Sequence, residues 1–268
     1  MAVALSFFLV VSKKIVILYD LSSVSRRMID MNEVVSNSDK TRMYLIGSAV
    51  VTGVLYVIPF GGIIAYPLLL LSTLAHEMGH GITAELVGGD FIEFALYFDA
   101  SGVATSTRPS SRIANALISA GGLIGPAVVA AILFWLGKSA KGSKIGLQFL
   151  GVFLILADLW LVSPFSNTFG FCFIGGVGIL SLLIGRKGGE ELNRFVVLFT
   201  AIQLSLSVFS RSDYLFVKEA QTAIGTSPSD VQNIALNLFL PYWFWGGVCG
   251  LISLLCLFWG MKVALQKE

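Results

Sequence analysis

Seven apolar stretches, separated by short polar connections, constrain this chain more than anything else in it: about Met43 to Ile64, Tyr66 to Val87, Ile113 to Leu136, Ile145 to Val162, Phe169 to Ile184, Phe195 to Phe209 and Tyr242 to Met261. About 20 consecutive apolar residues suffice to cross the hydrocarbon core of a bilayer. Inside lipid, a backbone must satisfy its own hydrogen bonds, which leaves helices or a closed barrel. The stretches are long, continuous and without period-2 alternation, so they read as helices. Composition agrees: 56% of residues are hydrophobic and 13% charged, against roughly 25% charged in soluble domains. The expected fold is an all-α, multi-pass integral membrane protein. It has about six to seven transmembrane helices, the fifth and sixth stretches being the shortest.

Two regions follow from this. Residues 1–42 form a polar or peripheral N-terminal segment, and residues 43–268 form one membrane-embedded domain. The early apolar run from Ala2 to Val11 precedes Lys13 and Lys14, the reverse of the charge order in a secretory signal. A formal net charge of +2, without a basic patch interleaved with aromatics, gives no footing for nucleic acid. The partners expected are the lipid bilayer and a peptide or membrane-protein substrate. Cys172, Cys249 and Cys256 all lie in apolar stretches and read as packed free thiols.

The second stretch carries both histidines of the chain, in His76-Glu77-Met78-Gly79-His80. Residues four apart on a helix share a face, so both imidazoles can reach one metal ion. In this pattern the histidines hold Zn²⁺, and the intervening glutamate takes a proton from water activated by the metal. A chance pentapeptide is the plain alternative. Ionisable groups within a membrane span are costly and default to a functional reading, which favours Zn²⁺ as cofactor.

After the second stretch, Gly88-Gly89-Asp90 stops the helix, and Phe91 to Phe98 followed by Val103 to Thr107 reads as a β-hairpin. Its edge near Phe91 and Phe94 could take up an extended substrate through backbone hydrogen bonds. Asn115 opens the third stretch and could meet substrate or pair with a neighbouring helix. Gly121, Gly122 and Gly125 read as close helix-packing positions, and Pro126 as a local loosening. Lysines and arginines fall on both sides of the membrane when seven crossings are counted, with Lys40 and Arg42 opposite Lys138, Arg186 and Lys262. Orientation is left open by that count.

A catalytic zinc takes three protein ligands and keeps one position open. No third histidine exists, so a carboxylate or thiolate must serve. Asp158, Asp213 and Asp230 fall on the same side of the membrane as His80. Each has a plain alternative: helix pairing for Asp158, an ion pair with Arg211 for Asp213, and the first turn of a helix capped by Ser229 for Asp230. Spacing does not choose among them.

These residues resemble the site-two proteases, the intramembrane zinc metallopeptidases, and especially their compact bacterial and plant-type members. The resemblance rests on Ala75-His-Glu-Met-Gly-His-Gly81, the following hairpin, Ala120-Gly-Gly-Leu-Ile-Gly-Pro126, and Ser229-Asp-Val-Gln-Asn-Ile-Ala235 before the last span. It covers roughly residues 66 to 260 and implies a helical bundle that hydrolyses peptide bonds of membrane-protein substrates. By motif match, His76 and His80 would be ligands and Glu77 the base. Asp230 best matches the Ser-Asp motif of the compact members, with Asp213 and Asp158 as alternatives. The Leu-Asp-Gly motif of site-two proteases proper is not found in Asp158 to Gly170. That departure keeps a second expectation in play, a non-proteolytic membrane scaffold or metal-binding regulator that retains the histidine pair.

Overall fold

The computed structural model describes residues 39–55, 57–210, 215–222 and 225–266. Eight helices and two small hairpins appear among them. Helix α1 covers residues 39–55, followed by α2 (Gly61–Leu86), β1 (Phe91–Leu96), β2 (Gly102–Ser106), α3 (Arg112–Gly137), α4 (Ala140–Leu161), α5 (Thr168–Lys187) and α6 (Glu190–Ser210). Strands β3 (Glu219–Thr222) and β4 (Gly225–Pro228) then lead into the short α7 (Asp230–Leu238) and the last helix, α8 (Tyr242–Leu265). Six helices, α2 to α6 and α8, are long and apolar enough to cross a membrane. The protein is a multi-pass integral membrane protein.

The first expected span needs correction. Met43 to Ile64 is not one helix: α1 is over by residue 58, Phe60 turns into the left-handed region at φ 63°, and α2 begins at Gly61. Pro59 supplies the cause, since it disfavours helical backbone at the residue before it and lacks an amide hydrogen to donate. The N-terminal end of α1 lies beside the start of α6. Lys40 Nζ is 3.3 Å from Glu191 Oε1, and Arg194 donates to Thr41 Oγ1 at 2.6 Å. The segment from residue 39 to Leu86 therefore crosses the bundle once, not twice. Lys40 and Arg42 sit at the same end as the α3–α4 and α5–α6 connections. The expected boundary at residue 42 falls inside α1, and residues 1–38 lie outside those described.

Helix α3 is the hub, packing against α2, α6, α7 and α8. Its contact with α2 is made by glycines. A Cβ on Gly79 would collide with the Gly121 carbonyl, one on Gly121 with the Thr83 hydroxyl, and one on Gly125 would come to 2.9 Å from the Ala75 carbonyl oxygen. The glycines of the third span are thus close helix-packing positions, as expected, and α3 runs on through Pro126 without ending. Apolar side chains lock the foot of the bundle: Phe134, Leu147, Val197, Leu198 and Ala264 are all at least nine-tenths buried in one cluster.

The hairpin after α2 forms as expected, with β1 and β2 antiparallel and an irregular register between Phe91 and Glu93. It lies back along α2 and does not project away from the bundle. Tyr66 Oη donates to the Phe98 carbonyl at 2.6 Å, and Thr73 Oγ1 to the Ala100 carbonyl at 2.8 Å. Cys172 is exposed, contrary to the packed-thiol expectation, while Cys249 is buried.

Candidate metal centre

His76 and His80 sit one turn apart on α2 and point at α7. His76 Nε2 lies 3.0 Å from Asp230 Oδ2 and His80 Nε2 lies 3.3 Å from Asp230 Oδ1. The two Nε2 atoms are 3.2 Å apart. Among the described residues these three form a group that could hold a metal ion, each offering one ligand atom. Four ligands placed tetrahedrally about a Zn²⁺ at ~2.0–2.1 Å would be roughly 3.3 Å from one another, so the donor set fits the ion in kind and in spacing.

Supporting contacts fix the parts. His80 Nδ1–H donates to the Ile118 carbonyl at 2.8 Å, which leaves the Nε2 lone pair facing the centre. That contact depends on the close α2–α3 approach, and Gly122 is the residue that admits the His80 ring: a Cβ there would overlap it. Asp230 is the first residue of α7. Ser229 caps that helix, its hydroxyl accepting from the Gln232 amide at 3.2 Å and donating to the Val217 carbonyl at 2.6 Å. The plain reading of Ser229 and Asp230 as cap and first turn is therefore correct, and it is also what aims the carboxylate. Burial opposes the charge on Asp230, but the adjacent His80 and His76 imidazoles overcome it and hold the carboxyl below the usual carboxylate range.

Glu77 is 8% exposed and packs beside the hairpin. Its Oε2 accepts from the Ala104 amide at 2.9 Å, and a Cβ on Gly102 would come to 2.7 Å from its Cγ. The register pairs Ala95 with Val103 and Phe94 with Ala104, and Tyr97 N donates to the Ser101 carbonyl across the turn. Backbone polar groups alternate along a strand. Those of Gly102, Ala104 and Ser106 therefore face away from β1, on the side where Glu77 lies. The opposite edge is already engaged at Leu96, whose amide donates to Asn167 Oδ1 at 3.1 Å and whose carbonyl accepts from Asn167 Nδ2 at 3.0 Å.

The other candidates fare differently. Asp158 is buried in α4 against Gly175 of α5 and is not part of the histidine group. Asp213 lies outside the described residues. Phe94 is 1% exposed, inside the cluster that joins α2, the hairpin, α4 and α5, and the Phe91 ring lies against Gly81. Both side chains help fasten the hairpin down, Phe94 fully buried and Phe91 partly so. Asn115 Oδ1 is buried without a hydrogen-bond partner. The Ile118 carbonyl, the Ala104 amide and Asn167 carry no sequence signal, since main-chain groups have none and a lone asparagine before a helix looks like an ordinary cap. A cavity of about 30 Å³ lined by Ser72, His76 and Ser207 adjoins the centre. A larger cavity, about 480 Å³, is apolar, lies round the side of α2 toward Leu74, Met78 and Ile82, and includes none of the three ligand candidates.

A polytopic helical bundle with two histidines and an aspartate converging at one end defines a membrane protein with a metal-type centre. The particular class follows from the sequence as a whole: residues 46–260 match the family Peptidase M50B-like, and the chain belongs to that site-two protease family. It is accordingly a peptidase-family protein whose relatives are zinc metalloproteases. No curated protein and no solved structure matches it.

Proposed function

We propose that the protein is an intramembrane zinc metalloprotease that hydrolyses peptide bonds of membrane-protein substrates. The single observation that supports this best is the convergence of His76, His80 and Asp230 beside Glu77, in a chain of this family. His76, His80 and Asp230 would hold the ion. When bound, Zn²⁺ supplies Lewis acidity, polarising a carbonyl and acidifying water.

The remaining work falls to the chain's own groups. Glu77 is the general base: its carboxylate accepts a proton from the attacking water at an Oε atom and passes it to the departing amine nitrogen. Water has room beside His76 in the cavity edged by Ser72 and Ser207. Substrate backbone enters extended and adds to an open strand edge. The edge that adjoins Glu77 belongs to β2, at Gly102, Ala104 and Ser106, whereas Asn167 holds the Leu96 position of the β1 edge. An incoming carbonyl would take over the Ala104 amide that otherwise donates to Glu77, which frees that carboxylate as substrate arrives. Asn115, with its buried Oδ1, is the candidate to orient the substrate main chain.

The test is cleavage of single-span peptides, each carrying a fluorophore and quencher, by the purified chain in liposomes, with bound zinc measured on the same samples. Glu77→Gln should keep zinc and lose about 10²-fold or more in rate, while Asp230→Ala should lose zinc as well. Full turnover by Glu77→Gln refutes the role of Glu77 as base. Zinc held by the parent chain with no cleavage of any peptide would favour a metal-binding regulator.

A further inference from the structure

Helix α4 is pinned to the bundle at two levels, and the space between them is the apolar cavity of about 480 Å³. Leu154 packs with Leu74, Met78 and the hairpin residues Phe94 and Leu96, while Leu147, nearer the foot, packs with Leu133, Val197 and Leu198. Between those anchor points α4 stands off from α2 and α3 and leaves a trough. Leu154 and Leu204, each 4% exposed, lie deep within it. The polar side chains in its lining are Thr83 and Thr200, and the Thr83 hydroxyl is turned against Gly121. Ile82, Leu117 and Val128 line it too and are exposed. In a bundle of six apolar spans those three residues belong to the bilayer-facing surface, so the trough is continuous with the interface between protein and lipid.

Size and chemistry narrow what the trough can hold. Water needs polar partners, and an apolar cavity denies them. A transmembrane helix is too large: 20 Å of a helix about 10 Å across displaces roughly 1,600 Å³. The volume falls instead among sites for one small molecule, ~300–1,000 Å³. In length, α2 lines the trough from Leu71 to Leu86, roughly 22 Å of helix, more than the ~15 Å of hydrocarbon in one leaflet. We infer that the trough holds one acyl chain of a bilayer phospholipid, drawn in sideways past Ile82, Leu117 and Val128, and that this chain braces the α2–α3 seam. Gly79, Gly121 and Gly125 line the same cavity, so the hydrocarbon lies along the open flank of the backbone contact that brings the Ile118 carbonyl to His80. The inference needs the membrane setting alone and holds whether or not the protein cleaves peptides.

The test reconstitutes the full chain in phosphatidylcholine liposomes containing a rising fraction of phosphatidylcholine with a photoreactive diazirine in one acyl chain, and maps the adducts by mass spectrometry. Labelling at Leu154 and Leu204 should saturate at a single lipid per chain. Labelling at Trp259 and Phe258, which are exposed on α8, should instead rise in proportion to the probe. Leu154 and Leu204 left unlabelled, as when another part of the chain or a second copy fills the trough, overturn the inference, and so does labelling there that tracks Trp259. The parent chain decides this by itself. Thr200→Phe, which adds a ring from the α6 side, should then abolish the adducts at Leu154 and Leu204 and keep those at Trp259. Bracing has its own readout: stripping lipid with detergent should lower the unfolding midpoint of the parent chain by several degrees, with recovery on adding phosphatidylcholine. A midpoint that ignores lipid overturns the bracing role.

Discussion

The α2–α3 seam and the α1–α6 seam join helices by opposite means. Across the first, Gly79, Gly121 and Gly125 bring two backbones into contact, with only the short Thr83 side chain between them at Gly121. Across the second, long polar side chains reach over: Arg194 to Thr41, Gln203 to Thr52, and Lys40 to Glu191. In lipid the apolar faces of helices gain little by meeting, so both close packing and hydrogen bonds are available as glue. The difference teaches where positional tolerance is small. The glycine seam carries the Ile118 carbonyl to His80, a hydrogen bond of 2.8 Å that a separation wider by about 1 Å would break. The polar seam holds a helix that supplies none of the three residues of the metal-type group, and its rotatable side chains can absorb such an error.

Substitutions at the two seams should therefore rank. Gly79→Val puts a branched side chain into the Gly121 carbonyl, and overpacking of this kind costs about 1–3 kcal/mol or more. We expect loss of bound zinc together with a lower unfolding midpoint in detergent. An intact zinc content in that variant would show the seam to be as forgiving as the polar one. Arg194→Met comes next, because Arg194 is 4% exposed and also donates to the Lys138 carbonyl at 3.1 Å. Leaving buried partners unsatisfied costs about 1–3 kcal/mol, so the midpoint should fall while zinc binding survives. Lys40→Ala is the smallest. Its partner Glu191 is largely exposed, and pairs of that kind contribute about 0–1 kcal/mol, a change at the edge of detection by thermal unfolding at low salt.

How far the sequence can be read depends on whether a feature is local. His76, Glu77 and His80 are legible because one helical turn determines their geometry. The hairpin is legible because glycines, aromatics and β-branched residues cluster over a few positions. Its inward face is within reach too: Phe94 and Leu96 alternate with Glu93 and Ala95, and the larger pair is buried. The broken first span is likewise marked, by Pro59 and Gly61-Gly62, but a hydropathy window averages over such breakers. Asp230 cannot be chosen over Asp158 by spacing, since its place depends on the path of the chain through four intervening spans. Family resemblance points to it, and the fold brings its carboxylate to the histidines.

That long path has a consequence for the order of biosynthesis. Asp230 is 150 residues downstream of His80, and at about 5–20 residues per second a ribosome needs roughly 8 to 30 s to reach it. Throughout that interval the nascent chain already displays paired imidazoles yet owns no aspartate at their side. The group of two histidines and an aspartate is thus incomplete until about the last seventh of the 268 residues is being made, a delay set by the order of its parts along the chain.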